Sequence, residues 1–169
     1  MDTGPDDPYS TFLSKIWREL QMLPVKLAES VEPFWPTEFG ELSHYVRSYT
    51  MLSHARLRGL YRAVRHVTEQ RIPGDIVECG TSEGGSALLM AMTLKRYGVG
   101  RHLWAFDTFL GMPPPSEKDP AEAWDYVGTL GHDLDHVRSI FHRWGIREGF
   151  TLVPGLFQET LPRARIERI

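Results

Sequence analysis

The stretch Gly74-Asp-Ile-Val-Glu-Cys-Gly-Thr-Ser-Glu-Gly-Gly85 reads as a short apolar strand that ends in an acid and runs through a glycine-rich loop into a helix. The loop glycines carry no Cβ, so backbone N–H groups can approach a ligand closely. In open parallel α/β sheets, ligands bind at the carboxyl ends of the strands, where this loop would lie. The stretch therefore predicts an α/β fold with a ligand site at the loop. A tight strand-to-helix connection without a ligand would have the same pattern.

The spacing within the loop distinguishes two classes of cofactor. The dinucleotide pattern Gly-x-Gly-x-x-Gly places its second glycine beside the pyrophosphate, and this chain has Ser82 at that position. A diphosphate ligand is therefore disfavoured. The form Glu-x-Gly-x-x-x-Gly instead favours S-adenosylmethionine, which has no phosphate. In that interpretation Glu78, directly or through water, meets the positively charged amino end of the methionine moiety.

Two further apolar segments add candidate ligand contacts. The segment His102 to Phe106 is followed by Asp107, whose carboxylate could accept from both hydroxyls of a ribose. Asp107 could equally cap a helix. The segment Phe150 to Val153 leads to Phe157 and Gln158, which are placed to meet the face and edge of an adenine ring or to form a plain amphipathic turn.

Several separated motifs occur in order along the chain, and they are Tyr49-Thr-Met-Leu-Ser53, Arg56-Leu-Arg-Gly-Leu-Tyr61, Ile72-Pro-Gly-Asp-Ile-Val-Glu-Cys-Gly80, Gly84-Gly-Ser86, Phe106-Asp-Thr-Phe-Leu-Gly-Met-Pro113 and Gly155-Leu-Phe-Gln-Glu-Thr-Leu-Pro162. Together these motifs resemble the macrocin O-methyltransferase family. The resemblance implies a Rossmann-like class I methyltransferase fold: the N-terminal part of a doubly wound parallel sheet with an added N-terminal helical arm. It also implies S-adenosylmethionine and Mg²⁺ as cofactors, and methylation of a hydroxyl on a sugar or other natural product.

The loop pattern and the resemblance together give a set of expected cofactor contacts. Ser86 could add a hydroxyl donor or could simply start a helix. No catalytic base is assigned. The expected contacts are Met51, Ser53, Glu78, Gly80, Thr81, Ser82, Gly84, Ser86, Asp107, Thr108, Phe157 and Gln158.

The chain departs from the resembled family at two places. Thr81-Ser82-Glu83 stands where the family usually has Val-Trp-Arg, so an anion replaces a cation beside the loop. The family's metal-binding acids lie beyond a segment like Glu167-Arg168-Ile169, and none of them is in this chain. No metal site is therefore predicted.

His132 and His136 are one helical turn apart, which is a spacing found in metal sites. An apolar stripe turns both imidazoles to another face, and the sequence offers no evident third ligand. The stripe is formed by Leu134, Val137, Phe141 and Trp144. We therefore interpret the pair as part of a solvated helix face.

The proline-rich segment from Thr108 to Pro120 is expected to be an irregular loop that acts as a lid or as a passive linker. Beyond it, Trp124 and Tyr126 either line an acceptor pocket or anchor the loop to the core. Residues 1–48 are interpreted as an N-terminal arm. Residues 49–169 are interpreted as a partial methyltransferase domain with three strands. A chain of 169 residues is short for a full sheet, so we expect a fragment, a truncated gene product or half of an assembly.

The composition describes an ordinary globular protein, with 41% apolar residues and a net charge of −3. Basic and acidic residues nearly balance, so no nucleic-acid partner is expected. No run of apolar residues is long enough for a membrane span, and a cytoplasmic location follows by default. The single cysteine, Cys79, excludes an internal disulfide and is interpreted as a small core residue.

The expected partner is a small-molecule hydroxyl acceptor such as a glycosylated natural product, and a homo-oligomer is possible. Two rival functions remain. One is a non-catalytic remnant that binds cofactor or partner. The other is an NAD-type Rossmann oxidoreductase domain.

Overall fold

Three parallel strands form the sheet in the computed structural model, which describes residues 38–97 and 100–169. They are β1 (Ile76–Cys79), β2 (Leu103–Asp107) and β3 (Phe150–Pro154), in the order β1-β2-β3. The register pairs Cys79 with Phe106 and Phe106 with Val153, so the carboxyl ends of the strands lie at one edge. The sequence predicts strands from Asp75 to Cys79, His102 to Phe106 and Phe150 to Val153, and each lies within one residue of the observed bounds at both ends. The α/β class is confirmed.

The helices occur between and beside these strands. In addition to α-helices, the described residues form 3₁₀ turns at Arg47–Tyr49, Ala121–Tyr126 and Leu161–Arg163. The α-helices are α1 (Glu38–Val46), α2 (His54–Glu69), α3 (Gly85–Tyr97), α4 (Leu134–Arg143) and α5 (Phe157–Thr160).

Helix α2 follows the apolar spacing of its sequence. Its N-cap is Ser53, whose hydroxyl accepts from the Arg56 N–H at 3.4 Å. Leu57, Tyr61 and Val64 are buried on one face. Since residues three and four apart share a face of a helix, this stripe attaches α2 to the core.

Gly59 in the middle of α2 offers a test of this helix. A Cβ built on Gly59 meets no atom within 4 Å, so alanine fits without a clash. Because glycine costs roughly 0.5–1 kcal/mol relative to alanine in a helix interior, we expect Gly59→Ala to raise the free energy of unfolding by about that amount. Urea denaturation followed by circular dichroism would measure it. A destabilised variant would contradict the described environment of α2.

The core lies where α3 and α4 meet the sheet. Within α3, Leu88 and Leu89 are fully buried, and in β2 the side chain of Phe106 is fully buried. From α4, Phe141 stacks on Phe150 of β3 with ring centroids 4.5 Å apart. The loops that follow the strands at the carboxyl edge of the sheet are therefore attached to well-packed helices and strands.

Two sequence expectations, a core position for Cys79 and an N-terminal arm, differ from the structure or fall outside the residues that it describes. Cys79 is exposed rather than in the core, because β1 pairs with β2 alone among the described strands and its last residue lies at the loop. Most of the expected arm, residues 1–48, lies outside the described residues, so its division from residues 49–169 stays a prediction. No helix in the described part of the chain is long and apolar enough to cross a membrane.

Candidate functional site

The glycine loop after β1 has the backbone that the sequence predicted. Gly80 and Gly84 have φ of 93° and 91°, a region that residues with a Cβ rarely adopt. A Cβ on Gly84 would also lie 2.8 Å from Cγ1 of Val137 in α4. Between the two glycines, Ser82 itself has a φ of 48°. The conformation of this loop therefore depends on glycine at positions 80 and 84.

Asp107, at the end of β2, holds this loop in place. Its Oδ2 accepts from the backbone N–H groups of Thr81 at 2.7 Å and Ser82 at 2.8 Å. Its Oδ1 accepts from the N–H of Phe109 at 2.9 Å, which closes a local Asx turn rather than capping a helix. The Thr108 hydroxyl also lies 3.4 Å from Oδ1, but its single hydrogen has a shorter partner in the carbonyl oxygen of Gly111, at 2.6 Å. Since a carboxylate has about four lone-pair sites, about one of them is left for a further donor. Contact between Asp107 and the ribose of a cofactor stays a prediction. The free site suits one ribose hydroxyl, whereas the sequence alone suggests two.

Glu78, near the end of β1, is a half-buried acid. Burial is the main reason that its pKa rises to about 7, and the neighbouring charge of Asp107 raises it further, while hydrogen bonds with Ser86 and Thr81 counteract this shift. Its Oε2 atom is buried and has no hydrogen-bond partner among the described residues. Such an orphaned acceptor is costly unless a donor or a cation reaches it.

A cavity of about 430 Å³ opens beside the loop at the carboxyl edge of the sheet. Its size suits a small organic ligand. Seven of its lining residues were expected from the sequence to contact a cofactor, and these are Met51, Gly80, Ser82, Asp107, Thr108, Phe157 and Gln158.

The other five expected contacts do not line the cavity. Ser53 is the N-cap of α2. Thr81 and Gly84 are buried within the loop. Glu78 and Ser86 interact with each other beside it. These residues lie next to the cavity wall rather than in it. Direct contact with a cofactor stays a prediction for each of them.

Sequence reasoning missed part of the cavity wall. Gly111, Met112 and Pro113 belong to the segment expected to be a lid or a linker, and their place on the wall favours the lid. Leu130 and Leu156 also line the cavity and had no distinguishing pattern. A parallel bridge between Met112 and Val127 closes the loop on itself.

Trp124 and Tyr126 lie on a 3₁₀ turn of this same loop. They are 61% and 60% exposed and do not line the cavity. Neither sequence interpretation of them, an acceptor pocket or an anchor to the core, has support in this arrangement.

A larger cavity, of about 730 Å³, lies near the start of β1 and contains several arginines. We do not regard it as the site, because ligands of open α/β sheets bind at the opposite edge. One of its cations, Arg101, already donates to the carbonyl oxygens of Gly74 and Val67.

One cluster of metal-ligand residues lies outside the 430 Å³ cavity. Glu83, His132 and His136 each offer a ligand atom, and these atoms all lie within 4.8 Å of one another. The sequence singled out the two histidines and interpreted them as a solvated face without a third ligand. The third residue comes from the glycine loop, 53 positions before His136, so no local spacing could have indicated it.

Comparison with known proteins identifies the family of most of this chain. Residues 42–169 match the model of the macrocin-O-methyltransferase (TylF) family. The 8-demethyl-8-(2,3-dimethoxy-alpha-L-rhamnosyl)-tetracenomycin-C 4'-O-methyltransferase of Streptomyces olivaceus is 33% identical over 129 residues, which cover 72% of this chain and 49% of that protein. Mycinamicin III 3''-O-methyltransferase of Micromonospora griseorubida is 30% identical over 131 residues, 72% of this chain and 52% of that protein. The chain thus spans about half the length of the curated relatives it matches.

Solved structures show the same fold. The O-methyltransferase NovP superposes with a TM-score of 0.64 at 30% identity, covering 70% of this chain and 52% of that chain. The calicheamicin methyltransferase CalS11 superposes with a TM-score of 0.55 at 20% identity, covering 96% of this chain and 67% of that chain. The expected Rossmann-like class I methyltransferase fold is confirmed.

Proposed function

We propose, because the chain belongs to the macrocin-O-methyltransferase family, that this protein binds S-adenosylmethionine at the carboxyl edge of its sheet. The parent activity is transfer of a methyl group to a hydroxyl on a sugar or other part of a natural product. The named relatives, a tetracenomycin 4'-O-methyltransferase and a mycinamicin III 3''-O-methyltransferase, support an acceptor of that class.

The observation that carries the proposal is the orphaned Oε2 atom of Glu78. It is a buried acceptor at the end of β1, next to the glycine loop, with no partner among the described residues. A cationic ammonium group would both satisfy its hydrogen-bonding capacity and favour its ionised form. The amino end of S-adenosylmethionine supplies such a group.

The cavity supplies the other requirements. Phe157 and Leu156 provide apolar surface for an adenine ring, and Gln158 provides an amide for its edge. Asp107 can accept from about one more donor, which suits a single ribose hydroxyl. When bound, S-adenosylmethionine supplies an electrophilic methyl group, and the chain's own residues position the cofactor for an incoming hydroxyl.

Dinucleotide binding has less support. In dinucleotide-binding loops, backbone N–H groups are directed at the pyrophosphate. Here the N–H groups of Thr81 and Ser82 are already donated to Asp107, whose negative charge would also repel a diphosphate. An NAD-type oxidoreductase is therefore the weaker candidate.

The described residues supply neither an assigned base nor a site suited to Mg²⁺. Mg²⁺ prefers oxygen ligands, whereas the cluster of Glu83, His132 and His136 offers two imidazoles. We therefore derive no step through Mg²⁺. A non-catalytic, cofactor-binding role remains the alternative for this chain. A cytoplasmic location and self-association stay predictions.

Calorimetric titration with S-adenosylhomocysteine tests the proposal, with Asp107→Ala as the variant and Glu148→Gln, an exposed acid, as the control. We expect saturable binding that Asp107→Ala weakens at least tenfold, since the loop loses the acceptor that holds Thr81 and Ser82. Glu148→Gln should bind as the unaltered protein does.

NADH serves as the competing ligand in the same experiment. Displacement of S-adenosylhomocysteine by equimolar NADH, or saturable binding of NADH alone, would favour the oxidoreductase candidate. A folded chain that binds neither ligand would overturn the proposal for this chain.

A further inference from the structure

We propose that Glu83, His132 and His136 form a binding site for a divalent first-row transition metal, with Zn²⁺ as its representative ion. The three ligand atoms lie within 4.8 Å of one another, although they come from two separate parts of the chain. Imidazole nitrogen and carboxylate oxygen are the donors that Zn²⁺ takes in proteins, and two histidines with one glutamate leave a fourth position for water.

The distances suit a tetrahedral ion. Zn–N and Zn–O bonds of about 2.0–2.1 Å put neighbouring ligand atoms about 3.3 Å apart. The Nε2 of His136 and the Oε1 of Glu83 are 3.2 Å apart. The rings of His132 and His136 are roughly parallel, with centroids 6.4 Å apart and an interplanar angle of 23°. The separations within the cluster are at most 4.8 Å, so His132 needs to approach the other two ligands by no more than roughly 1.5 Å. His132 lies just before Asp133, the N-cap of α4.

The backbone on both sides of the cluster is already fixed. Glu83 lies between Ser82, whose N–H is held by Asp107, and Gly84, which packs on Val137. His136 lies in the first turn of α4, and its N–H donates to the N-cap carboxylate of Asp133 at 3.1 Å. The ligand-bearing segments therefore need little ordering when an ion binds.

Charge around the cluster also permits a cation. The amino end of α4 carries a partial positive charge that opposes an ion. The carboxylates of Glu83 and Asp133 offset it, while Asp135 is paired with Arg138. His136 is 50% and Glu83 28% exposed, so an ion can enter from solvent. The bound ion would tie the glycine loop to α4.

The contact between Glu83 and His136 could instead be a simple ion pair, and metal titration separates the two. Tag-free protein, freed of metal with a chelator, is titrated with Zn²⁺ by calorimetry. We expect one ion per chain, with affinity reduced at least tenfold in each of Glu83→Gln, His132→Ala and His136→Ala. His142→Ala, an exposed histidine on α4, and Cys79→Ser, which removes the exposed thiol, are the controls and should bind as the unaltered protein does.

Co²⁺ supplies an independent readout. A tetrahedral site should give intense visible absorption that Zn²⁺ removes and that millimolar Mg²⁺ leaves unchanged. Absence of saturable Zn²⁺ binding to folded protein would overturn the site, and so would binding that survives all three substitutions. A loss of affinity in His142→Ala or Cys79→Ser as large as in the three variants would place the ion elsewhere. None of these readouts depends on S-adenosylmethionine, so the metal site and the proposed function can fail separately.

Discussion

Replacing Glu78 with glutamine is expected to weaken S-adenosylhomocysteine binding by about a hundredfold at pH 8. The variant keeps the shape of the side chain but cannot carry the charge that would pair with the ligand's ammonium group. Removing one partner of a buried charge pair costs several kcal/mol, and about 2.7 kcal/mol corresponds to a hundredfold in affinity. The buried, unpartnered Oε2 of Glu78 is the atom that makes this effect large.

The same substitution should change how stability depends on pH. Burial raises the pKa of Glu78 from 4.5 to about 7 in the folded chain, so the folded state binds a proton more tightly than the unfolded state does. This contribution to stability is fully present below about pH 4.5 and is lost as pH rises through about 7. The loss amounts to about 3 kcal/mol. Glu78→Gln, which resembles the protonated acid, should lack this loss and be more stable than the unaltered protein at pH 8.

Denaturant unfolding of both proteins between pH 4.5 and 8, and calorimetric titration at pH 8, would measure the two effects. The difference in unfolding free energy between the variant and the unaltered protein should grow with pH and level off above about pH 7. Ligand binding should also release a proton near pH 7, which calorimetry in buffers of different ionisation enthalpy detects. A pH-independent difference would refute the raised pKa, and unchanged affinity would refute the assigned role of Glu78.

The sequence predicted the features that depend on local pattern. Apolar segments predict the strands, because buried strands consist of apolar residues. The glycines at 80 and 84 predict the loop at the carboxyl edge, because positive φ favours glycine. Arg58 shows the limit of that reasoning. Arginine is almost never fully buried unless it is paired, so its residue type predicts an exposed side chain, but Arg58 is buried in α2. The spacing of apolar residues in one helix does not show which of its faces a neighbouring element covers.

Features that depend on contacts between distant residues could not be predicted. Asp107 reads as a ligand contact, and nothing near it in sequence shows that Thr81 and Ser82 donate to it from 26 and 25 positions away. Glu83 reads as a departure from a familiar motif, and only the fold brings it to His136. In both cases the sequence identified chemically important residues, and tertiary packing decided their partners.

Gly85→Ala is expected to destabilise the protein by about 3 kcal/mol, although the same change at Gly59 should stabilise it. A Cβ on Gly85 would lie 2.5 Å from the carbonyl oxygen of Tyr49 and 2.7 Å from Cβ of Thr50. The nearest obstacle is backbone, which cannot rotate away as a side chain can, so the segment before α2 or the start of α3 must shift. The clash therefore outweighs the better helix propensity of alanine.

Thermal unfolding of the two alanine variants makes a matched comparison. For a chain of 169 residues, about 3 kcal/mol corresponds to a fall in Tm of roughly 6–12 °C for Gly85→Ala, against a small rise for Gly59→Ala. Met51, which lines the cavity, lies two residues after Tyr49, close to the segment that must shift, so Gly85→Ala should weaken S-adenosylhomocysteine binding as well. An equal rise in Tm for both alanine variants would mean that Gly85 does not pack closely against residues 49–50. It would remove the structural reason for a glycine at position 85, the first residue of α3, because helix propensity alone favours alanine there.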